Sequence, residues 1–394
     1  MEHTGAMKTA VLRGPILSKS GYGTHCRQIF RWMLDAGYDV RCNITPWGIT
    51  SWHVNPDDLN GLVGAAMQRT SSPQTDTDLS IQVQLPHEWD STLSRFNIGV
   101  TAGVETNKAP SHWAECVSKM DLVIVPSSFS RDGLVAAGAP AEKIKVVPES
   151  FSDSLLDEHR GHLRHLELDY IDTHYNFLMF GQVTSNDPDT DRKNLLYTVK
   201  WFCEEFKGDK SVGLVIKSNL GTNCVFQKIQ LENMFRSLVK EVRQGEFPKV
   251  YLINGDMSND DCASLMMNPK INSLLSLTKG EGYGLPLVDA AASGLPIIAT
   301  NWSGHLDFLK FGKFSKVSYE LKKVPHEKLD KSIFVEGSSW AMPIESDAKK
   351  RMRKAVESNK VPAEWSNELR TKIQENFSFK AVSKRYDEVI GRSS

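Results

Sequence analysis

No apolar run in this chain approaches the ~18–20 residues that a membrane-spanning helix needs. The stretch Met1–Met7 lacks the apolar core of a signal peptide. No C-x-x-C pair occurs among the six scattered cysteines, at 26, 42, 116, 203, 224 and 262. That excludes a dense disulfide scaffold and suits reduced thiols, so a cytoplasmic setting is expected, the host cytoplasm if the chain is phage-encoded. Excess charge is also missing: 47 Lys and Arg stand against 48 Asp and Glu, for a formal net charge of −1. Nothing global therefore advertises nucleic acid or an anionic membrane. No internal repeat or low-complexity block stands out. What is present is a globular composition, 40% apolar and 24% charged, in 394 residues, enough for two domains.

Periodicity organises the chain as alternating strands and helices. Lys8 to Arg13 reads as a strand that ends at Gly14, and Thr24 to Gly37 places Ile29, Met33 and Leu34 at helical spacing. Further strands are expected at Tyr38 to Ile44, Leu79 to Gln84, Phe96 to Thr101, Leu122 to Val125 and Ile144 to Val147. After a polar stretch the alternation resumes, with strands at Phe177 to Phe180, Val212 to Lys217, Val250 to Asn254, Ile271 to Leu277 and Pro296 to Thr300. A lysine-rich insertion is expected at Lys310 to Ser332, then helices at Ala348 to Ser358 and Trp365 to Ile390. The pattern predicts an α/β protein of two Rossmann-like domains facing across a cleft. The expected boundaries are 1–165, 166–370 and a C-terminal helix, 371–394, that crosses back to the first domain.

The most informative stretch is Thr278 to Leu309. Its glycine-rich turn carries Glu281, Gly282, Tyr283 and Gly284, and a helix-like run from Leu285 to Ser293 follows directly. Backbone amides unobstructed by side chains, next to the positive end of a helix, suit a diphosphate. Ionised carboxylates accept hydrogen bonds and so suit sugar hydroxyls. A plain strand-to-helix turn with an exposed acid would show the same glycines. The full string Gly-Glu-Gly-Tyr-Gly-Leu-Pro-Leu-Val-Asp-Ala is far more specific.

That string resembles the E-x7-E signature of retaining family-4 glycosyltransferases of the GT-B fold, with Asp289 where the second Glu usually stands. Asn301-Trp302-Ser303-Gly304, Gly103-Val104-Glu105-Thr106, Asp121 to Phe129 and Gly14-Pro15 with Ser20 to Thr24 and Arg27 are similar to stretches of the same family. The resemblance runs from about Thr9 to Leu309. It implies transfer of a sugar from a nucleotide-diphosphate sugar to a hydroxyl acceptor with retention. No metal or other cofactor is expected, and the leaving diphosphate is neutralised by amides and cations.

By the resemblance Glu281 faces the donor sugar. Gly282, Tyr283, Gly284 and Leu285 offer main-chain contacts to the diphosphate, and Asp289 takes the ribose hydroxyls. Lys193 matches a phosphate-binding cation. The usual arginine position holds Gln182, and Arg192, with its bidentate fork, is the substitute. Lys217 at a strand end is a further phosphate or hydroxyl ligand. The loop residues Gly21, Tyr22 and Gly23 are placed against the diphosphate or acceptor, and His87 and Glu105 are candidate catalytic groups on the acceptor side. Retaining members of this kind have no clear enzymic nucleophile, and none is named here.

Asp187, Asp189 and Asp191 alternate as in a metal-binding D-x-D motif, but no metal site is assigned to them. Lys310, Lys313, Lys316, Lys322, Lys323 and Lys328 form one basic cluster; Lys349, Lys350, Arg351, Arg353 and Lys354 form another. Solvated faces are the plainer reading of both. The acceptor is expected to be a saccharide or glycan. The alternatives are a hydroxymethylated pyrimidine in DNA, as in phage-type hypermodification, or a non-catalytic nucleotide-sugar-binding protein. A Rossmann dehydrogenase is disfavoured, because S-G-Y-G is not G-x-G-x-x-G. Neither the donor base and sugar nor the oligomeric state is written in the sequence.

Overall fold

The computed structural model describes residues 8–70, 76–163, 166–358 and 360–391. They divide into two compact units: 8–104, 108–149 and 379–391 in one, and 105–107 with 150–378 in the other.

The first unit is built on a parallel sheet of β1 (Thr9–Gly14), β2 (Asp39–Ile44), β3 (Leu79–Val83), β4 (Phe96–Val100), β5 (Leu122–Val125) and β6 (Ile144–Val146), in the order β2-β1-β3-β4-β5-β6. Helices α1 (Gly21–Asp35), α2 (Leu62–Gln68), α3 (Ser111–Lys119) and α4 (Ser128–Ala136) fall between the strands. Strands covered on both faces read as continuous apolar runs, and Leu122-Val123-Ile124-Val125 is buried throughout. Helix α1 starts where the Ser20 side chain accepts the Gly23 N–H, and it buries Cys26, Ile29, Phe30 and Met33 along one stripe.

The second unit repeats the plan with β7 (Tyr175–Phe180), β8 (Val212–Ser218), β9 (Lys249–Asn254), β10 (Ser273–Ser276), β11 (Ile297–Thr300) and β12 (Ser315–Val317). Their order is β12-β11-β10-β7-β8-β9. The chain winds outward from β7 to β9 and then restarts on the other side at β10. The strand order thus reverses between β7 and β10, the place where a doubly wound sheet opens a crevice at its carboxyl edge. Helices α5 (Leu195–Glu205), α6 (Val225–Val242), α7 (Asn259–Met266) and α8 (Leu285–Ser293) connect these strands, and α9 (Leu306–Leu309) follows β11. An antiparallel hairpin of β13 (Tyr319–Lys323) and β14 (Ser339–Pro343) precedes α10 (Glu345–Glu357), α11 (Lys360–Phe377) and α12 (Phe379–Ile390).

Several expectations change. The boundary falls after Glu149 rather than at 165, because Phe151 and Leu155 are buried in the same core as Leu287 and Ile373. The expected helix Trp365 to Ile390 is two helices. Leu369, Ile373 and Phe377 of α11 bury in the second unit, while Phe379, Val382, Tyr386 and Ile390 of α12 bury in the first. The return to the first unit therefore starts at Phe379, not 371. There Trp32 Nε1 donates to Asp387 at 2.9 Å, and Arg31 lies 3.9 Å from the Phe379 ring centre. The lysine-rich insertion also proves to hold regular structure, the edge strand β12 and the strand β13. Among the described residues no helix is long and apolar enough to cross a membrane.

Candidate active site

The carboxyl ends of β7 and β10 carry the two loops that make the site. The loop after β10 runs into the turn Thr278–Gly284, and α8 starts there. Gly284 caps the helix with φ +105°, a left-handed conformation that a side chain disfavours, and Pro286 occupies its first turn. Leu287 and Val288 both donate their N–H groups to Gly284 O. Pro286 has no N–H, so the amides left facing outward at this helix start are few. Gly280 is demanded by a close approach: a Cβ there would sit 2.2 Å from the Glu105 carbonyl oxygen.

Glu281 is 7% exposed. Both its oxygens accept from Lys193 Nζ, at 2.7 and 2.8 Å. Arg192 Nη1 lies 3.6 Å from the same carboxylate and donates to Gly280 O at 2.6 Å, while Arg192 Nη2 lies 3.3 Å from Glu105. Burial opposes ionisation of Glu281, yet Lys193 and Arg192 hold its carboxyl down at about 2. Arg192 is buried too, but Glu105 and Glu281 more than offset that and raise its pKa. Two carboxylates and two cations thus interlock in one small space. The sequence placed Glu105 in the first domain; 105–107 instead count with the second unit, and Glu105 faces Arg192.

Behind the carboxylate, the Glu281 N–H donates to Ser303 Oγ at 2.9 Å, and Gly304 N–H donates to Glu281 O at 2.9 Å. The Glu281 amide is therefore spent inside the protein. Ser303 holds φ +87°, a sparsely populated conformation for a residue with a side chain. His305 is fully buried, with Nε2 2.8 Å from Thr300 O and Nδ1 3.4 Å from Ser303 Oγ. The carbonyl can only accept, so Nε2 carries the proton. Burial lowers the His305 pKa, which keeps the ring neutral. Ser303 and His305 brace the turn from below. The sequence showed Asn301 to Gly304 as a motif without revealing this bracing.

Other candidates sit as follows. The Tyr283 ring is buried against Phe308, with ring centres 5.1 Å apart. Leu285 is partly buried at the start of α8. Asp289, on α8, accepts the Ser152 N–H at 2.9 Å, and burial pushes its carboxyl up to about 7. Gln182, just past β7, is exposed. Lys217 is 5% exposed; its Nζ donates to Gly255 O at 2.5 Å, so it ties the ends of β8 and β9 together. Asp191 is buried and accepts from Leu195 N–H at 2.6 Å and Thr184 Oγ1 at 2.8 Å, capping α5.

In the first unit, Gly21, Tyr22 and Gly23 form the first turn of α1 rather than an open loop. Tyr22 stacks on Trp47 with ring centres 3.8 Å apart and shares a 2.9 Å hydrogen bond with Thr101 Oγ1. Arg27 clamps the preceding loop, donating to Ile16 O at 2.8 Å and Ser18 O at 2.7 Å. His87 is exposed on the turn Pro86–Glu88 beyond β3.

No protein-family model matches the chain, and no curated protein matches it in sequence. Solved structures do. Anabaena HepE, crystallised with UDP and glucose, is 13% identical at a TM-score of 0.61, over 98% of this chain and 100% of that one. Sucrose-phosphate synthase from Thermosynechococcus elongatus is 12% identical at 0.63, over 98% and 99%. The lipopolysaccharide outer core galactosyltransferase WaaB, in its apo form, is 14% identical at 0.60, over 98% and 100%. This chain has the GT-B fold. At such identities the likeness is one of fold. Within a GT-B chain the Glu281 turn stands at the switch point of the second Rossmann-like unit.

Three members of the second basic cluster are paired with acids. Lys349 pairs with Glu204 at 2.7 Å and Glu345 at 2.5 Å, Arg351 with Asp347 at 3.1 Å, and Arg353 with Glu205 at 2.7 Å. In the first cluster Lys310 lies 3.5 Å from Asp307, and the acids Glu320, Glu327, Asp330 and Glu336 are interspersed in sequence with Lys322, Lys323 and Lys328.

Proposed function

We propose that this chain is a glycosyltransferase that moves a sugar from a nucleotide-diphosphate sugar to a hydroxyl acceptor with retention. One observation carries the reading: Glu281, held ionised between Lys193 and Arg192 at the switch point of a GT-B sheet. A diphosphate arriving there meets two cations whose present partners are carboxylates. Exchanging those partners for phosphate oxygens leaves Glu281 to accept hydroxyl donors from the sugar. In the reaction the bond from the sugar's anomeric carbon to the diphosphate oxygen breaks, and the bond to the acceptor oxygen forms on the same face. The acceptor proton passes to the departing phosphate. Lys193 and Arg192 stabilise the charge that develops on it, without a metal ion.

Uridine diphosphate is the first donor base to test, since HepE was solved with UDP. A saccharide or glycan acceptor is supported over DNA by the formal net charge of −1, which offers no global attraction for a duplex, and by the pairing of Lys349, Arg351 and Arg353 with acids. The test is to incubate the protein with a panel of nucleotide sugars and saccharide acceptors. Release of nucleoside diphosphate with a product of unchanged anomeric configuration supports the reading, and an inverted product overturns retention. Salt-sensitive binding to hydroxymethylated duplex DNA would favour the DNA acceptor.

The raised pKa of Asp289 gives a pH signature. The folded chain favours its protonated form, so that contribution to stability fades as pH rises from about 4 to about 7. Ribose hydroxyls prefer the carboxylate. Nucleoside diphosphate affinity should therefore rise between pH 6 and 8, and Asp289→Asn should lose that component and bind about 3–10-fold more weakly at pH 8. Titration calorimetry on both proteins checks it; identical pH profiles would remove Asp289 from the ribose role.

A further inference from the structure

Lys279 is 2% exposed, among the largest fully buried side chains of the protein. An ammonium group taken out of water is costly unless its donors are satisfied. Here they are used on one target: Nζ donates to Pro188 O at 2.7 Å and Asp189 O at 2.9 Å. Both carbonyls belong to the loop that delivers Arg192 and Lys193. The backbone completes the tie. Lys279 N–H donates to Arg192 O at 2.9 Å, its carbonyl accepts from Ala341 N–H at 3.0 Å, and the next carbonyl, Gly280 O, accepts from Arg192 Nη1 at 2.6 Å. A single residue, two positions before Glu281, thus joins the cation-bearing loop, the Glu281 turn and β14.

We propose that Lys279, in its charged form, is a positioning residue that holds the loop 184–193 against the Glu281 turn, so that Arg192 and Lys193 are set for a diphosphate before it arrives. This rests on the proposed function. Pre-set cations save the ordering cost that a free loop would incur on binding. Lys279 touches neither the sugar nor the phosphates; it acts through the loop.

The groups around it decide its titration. Burial lowers the Lys279 pKa to about 8; Asp191, Asp189 and Asp187 oppose that fall, and Lys322 adds to it. The Tyr197 and Trp340 rings flank Nζ, at 5.8 and 5.9 Å. The sign follows: the charged form is present below about pH 8 and lost above it, so loop order and diphosphate affinity should fall as pH rises through 8.

The experiment is calorimetric titration of UDP and GDP into wild type, Lys279→Met and Lys279→Arg from pH 7 to 9. Wild-type affinity should drop severalfold relative to Lys279→Arg across that range, any rise from Asp289 being common to all three proteins. Lys279→Met should bind about tenfold or more weakly at pH 7 with that drop gone. Lys279→Arg, charged throughout, should restore pH 7 affinity and hold it at pH 9. A merely structural lysine would give all three proteins the same pH profile, which would overturn the proposal. Binding by Lys279→Met within twofold of wild type would overturn it alone. Absence of diphosphate binding in wild type would overturn the proposed function and this inference with it. Should Lys279→Met fail to fold, the pH profile of Lys279→Arg decides: a drop matching wild type refutes the proposal.

Discussion

Glu281→Gln should lower sugar transfer by on the order of 10²–10³-fold while nucleoside diphosphate binds as well as before or better. The split between the two readouts is the point. Glutamine keeps the shape of the side chain but cannot hold Lys193 and Arg192 as counter-charges. Those cations, 2.7 and 3.6 Å from the carboxylate, become freer for phosphate oxygens. On the proposed function, what is lost is the acceptor-only group set to face the sugar as the anomeric carbon gains positive character. A variant that loses binding and turnover equally would place Glu281 in general scaffolding. Stability carries a second signature. Since the Glu281 carboxyl is held at about 2, its contribution is present above about pH 4.5 and disappears as pH falls toward 2. Glu281→Gln should flatten that acid limb in a denaturation series.

Lys193→Met should weaken nucleoside diphosphate binding by tenfold or more and destabilise the protein by about 1–3 kcal/mol. Both effects have one origin. Lys193 is the closest partner of a carboxylate whose side chain is only 10% exposed, and removing it strands that charge. Losing one partner of a fully buried pair costs ~3–5 kcal/mol. Arg192 remains nearby, and the Lys193 side chain is 21% exposed, so the smaller range applies. The double variant Lys193→Met with Glu281→Gln should recover part of the stability but none of the binding. Such non-additivity is the mark of direct coupling, and chemical denaturation of the four proteins measures it. Strictly additive losses would show that the pair does not interact as the geometry indicates.

Much of this was legible in the sequence, for identifiable reasons. Parallel strands buried on both faces read as unbroken apolar runs, so Val212 to Lys217 and Leu122 to Val125 announced themselves. The Glu281 turn was legible because its glycines, proline and acids fall in one short string. Contacts between distant loops were not. Glu105 reaches Arg192 across 87 positions, and nothing local to either residue signals the meeting. Lys217 read as a ligand from its place at a strand end, and its bond to Gly255 O, 38 positions on, had no local signal. Nothing in the sequence singled out Lys279. Its burial comes from Pro188 and Asp189, about ninety positions away. The break between α11 and α12 lies at Ser378, with no glycine or proline to announce it; only the change of core, from Phe377 to Phe379, explains it.

The most direct test is thermal denaturation with saturating nucleoside diphosphates, their sugars, free nucleosides and NAD, on wild type and Lys193→Met. A ligand that binds only the folded chain raises its stability by mass action. The expected result is that one nucleoside diphosphate and its sugar raise the midpoint of wild type, free nucleosides and NAD do so far less, and Lys193→Met loses most of the shift. No shift with any diphosphate, or a shift that Lys193→Met keeps in full, would contradict a donor site built on Glu281, Arg192 and Lys193.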